Sequence, residues 1–293
     1  MGLRGYGVSI ESLNFEMWKS LRVAFPSEKE QIAIATFLDR ETARIDSLIE
    51  KKQRQIELLQ EKRSALISHA VTKGLDPNVK MKDSGVAWLG DVPEHWTKIR
   101  LGYSAQMIVP MRDKPQVFSG DVPWIRIEDF EGKYIGDSKT EQRVDIDTIR
   151  YMNLKIFPIG TVLCSCSCRM GVTAIVSRPL VTNQTFIGIV PGELIYSDFL
   201  YYLMQAIAER LQIAATGAIQ QYLAREDFQQ LRFFSPSIIE QQMIAAFLDH
   251  ETTKIDTLVE KVQESIEKLR EYRTALISAA VTGKIDVRDE ASA

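Results

Sequence analysis

Two stretches of the chain carry their core-type positions at steps that alternate between three and four. In one they fall at Leu38, Thr42, Ile45, Ile49, Lys52, Ile56, Leu59, Arg63, Leu66 and Ala70. In the other they fall at Leu248, Thr252, Ile255, Val259, Val262, Ile266, Leu269, Arg273, Leu276 and Ala280. A 3.5-residue period held over more than four heptads predicts a coiled-coil seam. Each helix of roughly 45 residues would run about 65–70 Å. Such a rod cannot bury its stripe alone, so the two copies, or copies from two chains, must pack on each other. Arg63 and Arg273, inside the stripe, read either as register-setting polar residues or as aliphatic stems that snorkel out of it.

The two stretches are one unit used twice. Pro26–Asp76 and Pro236–Asp286 align at a fixed offset of 210 with 30 identities in 51 positions. Each opens on Pro-Ser with a glutamate three residues after the serine, Ser27/Glu30 and Ser237/Glu240. That is capping-box spacing, in which hydroxyl and carboxylate each satisfy a free backbone N–H. Each closes near a threonine with a glycine just beyond, Thr72/Gly74 and Thr282/Gly283, where a helix can stop. The likeness continues upstream, where Gly7, Leu13, Leu21 and Arg22 match Gly217, Leu223, Leu231 and Arg232. Residues 1–25 therefore read as the tail of a preceding globular domain.

Between the repeats the texture changes. "DVPWIRIEDF", "GTVLCSCS", "VTAIVS" and "FIGIVP" are short apolar or alternating runs set off by Gly, Pro and Asp, which predicts strands and turns. "SDFLYYLMQAIAERLQIAAT" is helical, with Ser197 or Asp198 as its cap, and "GAIQQYLAREDFQQLRFF" is a polar loop and short helix. The expected fold class is α+β: a globular α/β domain over 80–235, flanked by long coiled-coil helices over 26–79 and 236–293.

Composition narrows the function by exclusion. No run approaches 18 uncharged apolar residues, and the N-terminus lacks a long apolar h-region, so neither a membrane span nor a secretory signal is read. The net charge of −3 argues against indiscriminate nucleic-acid binding. From Lys80 to Ser235 basic and acidic residues balance at 17 each, and the acidic excess lies in the second repeat. The three cysteines, Cys164, Cys166 and Cys168, do not suit a disulfide framework and fit a reducing cytoplasm. As a metal site they are poor, since a tetrahedral zinc needs four ligands and strand alternation is expected to splay these side chains. There is no GxxxxGK[ST] loop, no GxGxxG turn and no Asn/Asp-Pro-Pro-aromatic tetrad, and His69, His95 and His250 are scattered. No catalytic residue or metal ligand is assigned.

Candidate DNA contacts are polar and basic residues beside turns: Arg112, Lys114, Arg126, Arg169, Asn183, Gln184, Gln220, Gln221 and Tyr222. Arginine can bridge guanine O6/N7, and Asn or Gln can bridge adenine N6/N7. Taken singly, each reads first as an ordinary surface residue.

"EKEQIAIATFLDRETARIDSLIEK" with "ALISHAVTKGLD", their second copies, "DSGVAWLGDVPEHW", "IGTVLCS", "TNQTF" and "TGAIQQYL…LRFFSP" together resemble the specificity subunits of type I restriction–modification enzymes, over nearly the whole chain. The resemblance implies a DNA-reading scaffold without chemistry of its own. In that family two target-recognition domains each read half of a bipartite site. Antiparallel helices separate them and dock methyltransferase subunits, which use S-adenosylmethionine; motor-nuclease subunits join indirectly. With domain centres about 34 Å apart, both readers can enter major grooves on one face of double-stranded DNA. This chain has repeat, one recognition domain, repeat, so it resembles a half-size form. The expectation is a homodimer joined through four helices, with Ile45, Ile49, Ile56, Leu59, Leu66, Ile255, Val259, Val262, Ile266, Leu269 and Leu276 in the seam. A truncated gene whose lost half comes from another chain is the alternative origin. The competing functional class is a coiled-coil scaffold whose middle domain binds protein. An autonomous nuclease or methylase would require activity from the chain alone.

Overall fold

The computed structural model describes residues 19, 25–86, 89–111, 113–166, 171–214 and 225–288. A long helix α1 (Glu28–Lys73) leads through β1 (Met81–Asp83), β2 (Asp91–Pro93) and β3 (Thr97–Arg100) to a single turn α2 (Leu101–Ser104). Then come β4 (Ala105–Ile108), β5 (Val122–Ile125), β6 (Tyr134–Ile135), β7 (Arg143–Val144) and α3 (Ile146–Tyr151). They are followed by β8 (Val162–Ser165), β9 (Thr173–Val176), β10 (Val181–Thr182), β11 (Phe186–Pro191) and α4 (Ser197–Ala214). The last elements are α5 (Arg225–Gln230), β12 (Arg232–Ser235) and the second long helix α6 (Ile238–Val281). The architecture is α+β, and both long helices stand where the 3.5-residue pattern put them.

The chain divides into two compact units. One takes residues up to Glu57 and from Val259 on; the other is Leu58–Leu258. In the first, Phe37 and Ile45 of α1 pack with Leu276 and Ala280 of α6 and with Val287, and Ile34, Leu38, Ile49 and Leu269 lie against them. The Arg273 guanidinium donates to the Asp46 carboxylate at 2.9 and 3.2 Å. In the second unit, Arg63 Nε donates to Asp256 Oδ1 at 3.0 Å. These are one pair in two copies, since Arg63 is the repeat equivalent of Arg273, and Asp256 of Asp46. Both arginines thus join helix to helix. All twenty stripe positions are buried or partly buried; α1 and α6 meet in the first unit through the cluster around Phe37 and Ala280 and the Asp46–Arg273 pair, and in the second through the Arg63–Asp256 pair.

The second unit is built around a five-stranded sheet in the order β4-β11-β8-β9-β6, antiparallel except where β6 joins β9. The apolar face of α4 (Phe199, Leu200, Leu203, Met204, Ile207) covers Val162, Cys164, Ile175, Ile187 and Ile189 on one side. The same core takes in Ile67, Ala70 and Val71 from the end of α1, and Ile244 and Leu248 from the start of α6. The globular domain is therefore completed by helix ends. The other sheet face packs Leu163, Ala174 and Val176 against Ile125, Phe157 and Leu180. A Cβ on Gly188 would lie 2.2 Å from the Phe157 ring, so only glycine lets β11 pass there. A third cluster, Trp124, Val144, Ile149, Leu154 and Val181, sits under a separate three-stranded sheet in the order β10-β5-β7.

Two local expectations change. Cys164 and Cys166 share one core instead of splaying, because residues two apart on a strand face the same way. Burial pushes both thiols up, Cys166 to about 12, so both stay protonated; Cys168 lies outside the described residues. The capping box closes fully in the first repeat: Ser27 N–H donates to Glu30 Oε2 at 2.9 Å, and Glu30 N–H to Ser27 Oγ at 3.4 Å. In the second, Glu240 N–H keeps its bond to Ser237 Oγ at 3.3 Å, but the carboxylate turns to Trp96 Nε1 (3.0 Å) and His95 Nε2 (2.9 Å). A buried indole donor is the costlier group to leave unpaired.

Candidate nucleic-acid interface

Four of the nine candidate contacts lie among the described residues: Lys114, Arg126, Asn183 and Gln184. Arg112, Arg169, Gln220, Gln221 and Tyr222 lie outside them. Strand register brings two of the four together. β10 runs parallel to β5, with Val181 beside Trp124 and Thr182 beside Ile125. Asn183 and Arg126 are the next residue on each strand, so they leave neighbouring strands at the same end of the sheet. Trp124 N–H donates to the Gln142 carbonyl at 2.9 Å, which brings the start of β7 to that end too.

Buried Asp129 braces this end. Its carboxylate accepts from Arg126 N–H (2.7 Å), Lys139 N–H (2.8 Å) and Ser138 Oγ (3.2 Å), tying the turn after β5 to the turn before β7. Arg126 Nη2 donates to Thr140 Oγ1 at 3.3 Å, while its buried Nε has no hydrogen-bond partner among the described residues. Asn183 Oδ1 accepts from Thr185 N–H (3.4 Å) and Thr185 Oγ1 (2.6 Å), an Asx-type turn that fixes the side chain and leaves Gln184 exposed beside it. Lys114 lies over Phe118, 5.7 Å from the ring centroid, and Phe118 contacts Trp124 at 6.1 Å. The turns after β5 and β10 thus carry a guanidinium and two amides, and Lys114 is linked to the cluster beneath them through Phe118.

Charge here is balanced. Arg143 pairs with Asp137 at 2.6 Å, Arg178 with the same carboxylate at 3.4 Å, and Lys139 with Glu131 at 3.3 Å. A second surface is less compensated. Arg100 and Arg232 face each other across the β12–β3 pair. Lys98 is next to Arg100, and exposed Tyr103 lies 4.8 Å under the Arg100 guanidinium. Among the described residues, no carboxylate lies within 4.0 Å of the side-chain nitrogens of Lys98, Arg100 or Arg232. Facing like charges cost stability across a strand pair, so this arrangement suits an anion. Sequence reasoning missed both Asp129 and this arginine pair. The acidity of "RIED" hinted at the first; the second needs residues 132 positions apart to meet.

Comparison with known proteins settles the kinship. Residues 109–268 match the type I restriction modification DNA specificity domain family. The chain belongs to that family. The matched span contains the β5–β10 edge, the sheet core and most of the second repeat. Among curated specificity subunits, the chain is 32% identical over 190 residues to that of MjaIX from Methanocaldococcus jannaschii, covering 62% of this chain and 43% of that one. It is 25% identical over 285 residues to the putative MjaX subunit of the same organism, covering 96% and 63%. The chain thus spans less than two thirds of the relatives it matches. Its fold is that of the HsdS subunit from Thermoanaerobacter tengcongensis (TM-score 0.55, 16% identity, 96% of this chain and 65% of that one). It also matches a chain solved in work on complex assembly of a type I restriction–modification system (TM-score 0.64, 18% identity, 95% and 66%).

Proposed function

We propose that this specificity-family chain reads half of a bipartite site on double-stranded DNA for a type I restriction–modification complex, and performs no chemistry itself. The observation that carries the reading is the β5–β10 register, which sets Arg126 beside Asn183 on a braced edge with Gln184 exposed. Arg126 and the two amides are the base-reading set, since arginine and amide side chains form bidentate bonds to guanine and adenine. Lys114 and the Lys98/Arg100/Arg232 surface supply phosphate contacts, which position the domain without specifying sequence. Methyltransferase subunits dock on the long helices, and they carry the S-adenosylmethionine chemistry; motor-nuclease subunits join through them. A homodimer joined through the long helices of two chains belongs to the same reading and would bring a second domain to the other half of the site; a stable monomer in light scattering, with or without methyltransferase subunits, overturns that part.

The test is methylome sequencing of cells expressing the chain with its methyltransferase subunits. A single bipartite motif is expected. Asn183→Ala, Gln184→Ala and Arg126→Ala should each relax or abolish one half of it. Arg232→Ala should lower methylation at every site without changing the motif. An unchanged motif in all three of the first variants overturns the base-reading assignment and favours a protein-binding middle domain.

A further inference from the structure

Five buried side-chain atoms lack a hydrogen-bond partner among the described residues, and four of them lie at one place: Trp124 Nε1, Arg126 Nε, Gln142 Oε1 and Arg143 Nε. Buried polar atoms are paired as a rule, so a cluster of exceptions calls for a cause. Strand register sorts the four by face. β7 runs antiparallel to β5, with Val144 beside Val122 and Arg143 beside Pro123. Gln142 therefore stands opposite Trp124, and its carbonyl accepts the Trp124 backbone N–H at 2.9 Å. Alternation puts Gln142, Trp124 and Arg126 on the face of Val144 and Val181, and turns Arg143 to the other, where its Nη2 donates to Asp137 at 2.6 Å. Asn183, two residues after Val181, comes up on the same face as Arg126. Three neighbouring strands thus bring Asn183, Arg126 and Gln142 to one face at one end of one sheet.

A purely structural amide at position 142 would close on the indole opposite it. Trp124 is 1% exposed and offers an unpaired N–H, and Cβ atoms of opposed residues lie about 4.5–5.5 Å apart. The bond is not made. The preceding residue, Glu141, is held at φ 55°, a left-handed conformation that a glutamate rarely adopts. Unpaired polar atoms and a strained turn at the same end are a cost that a bound ligand would offset. Gln142 and Arg126 are only partly buried, so both side chains can swing outward.

Of the two amides on this face, Gln142 is the better suited to adenine. A bidentate bond to adenine N6–H and N7 needs an amide oxygen and an amide N–H together. The Asn183 oxygen has both lone pairs taken by Thr185, at 2.6 and 3.4 Å. The Gln142 oxygen has none taken among the described residues. We infer that Gln142 is a specificity-determining residue that reads an adenine beside the base read by Arg126, and that its bonds form only on DNA. This rests on the DNA reading proposed above.

The test combines methylome sequencing of cells expressing the full chain and its methyltransferase subunits with thermal unfolding of the purified chain. Gln142→Met breaks no side-chain hydrogen bond, so its melting temperature should match or exceed that of the wild type. Its discrimination at one adenine of the motif should fall by roughly tenfold or more. Gln142→Glu keeps the acceptor and loses the donor, so preference at that position should move from adenine to cytosine, whose N4 donates. An unchanged motif in both variants, beside a changed one in Arg126→Ala, overturns this inference and leaves the wider reading standing. An unchanged motif in all three overturns both. Uniform loss of methylation at every site also overturns the inference, since that marks a phosphate contact or a structural group. So does a fall of about 3 °C or more in the melting temperature of Gln142→Met, because the amide would then be bonded in the free chain.

Discussion

Lys133 is the polar hub of the second unit. Its ammonium meets Asp198 at the start of α4 and Asp249 of α6, and lies 5.3 Å from the Tyr202 ring centroid. Burial works to lower its pKa, but the two carboxylates outweigh that and raise it. Burial likewise works to raise Asp198, yet the bonds from Lys133 and Tyr134 hold it below the usual carboxylate range. Lys133→Met removes the cation that pairs with both Asp198 and Asp249 and leaves the two carboxylates without it. Stripping one partner from a fully buried pair costs about 3–5 kcal/mol. Lys133 and Asp198 are 14% and 13% exposed, but Asp249 is 45% exposed and Tyr202 still donates to it. The expected loss is therefore about 2–3 kcal/mol, or roughly 5–10 °C in Tm for a unit of this size. Thermal unfolding by circular dichroism measures it, with Asp198→Asn completing a double-mutant cycle. Coupling of about 1 kcal/mol or more is expected between the two sites. The pH dependence has a fixed sign. Asp198's contribution is present above its unfolded pKa of about 3.9 and is lost as pH falls through the lower folded value. That of Lys133 is full below about 10.4 and is lost as pH rises through the higher folded value. The gap between wild type and Lys133→Met should thus stay flat from about pH 5 to pH 9 and close at both extremes. A Tm change under about 2 °C, or strict additivity with Asp198→Asn, refutes the hub.

Glu240→Ala strands the indole of Trp96, which is 1% exposed, and should cost about 1–3 kcal/mol in urea unfolding; Trp96→Phe in the same background should recover part of it. Gly188→Ala drives a methyl into the Phe157 ring and should cost about 1–3 kcal/mol, relieved by Phe157→Leu. Reversing a repeat pair, Arg63→Asp with Asp256→Arg, should restore most of the stability that Arg63→Asp alone loses. The pair is half-exposed, so simple deletion to alanine should shift unfolding by no more than about 1 kcal/mol.

The helices were legible because a heptad stripe and a duplicated sequence are local signals repeated many times. The strands around "VPWI", "VLCS", "TAIV" and "FIGIVP" were legible for the same local reason. What escaped is what depends on distant partners. Nothing near Lys133 announces Asp249, 116 residues away, or predicts that Ser197 and Asp198 serve the sheet side instead of simply capping α4. Glu240 looked like Glu30 until Trp96 claimed its carboxylate. Of the site, the residue types near turns could be picked out, but not that a parallel strand pair sets Arg126 beside Asn183.

The separation of the apolar clusters sets what sequence change can do to this protein. The edge with Arg126 and Asn183 stands over Trp124, Val144, Ile149, Leu154 and Val181, none of which belongs to the core that includes the helix ends. On the proposed reading, substitutions at the Arg126 and Asn183 edge can therefore change base preference on one side of the domain without touching the surface that seats it on the helix ends. If that edge reads DNA, a new target word can be acquired without renegotiating the attachment that delivers it.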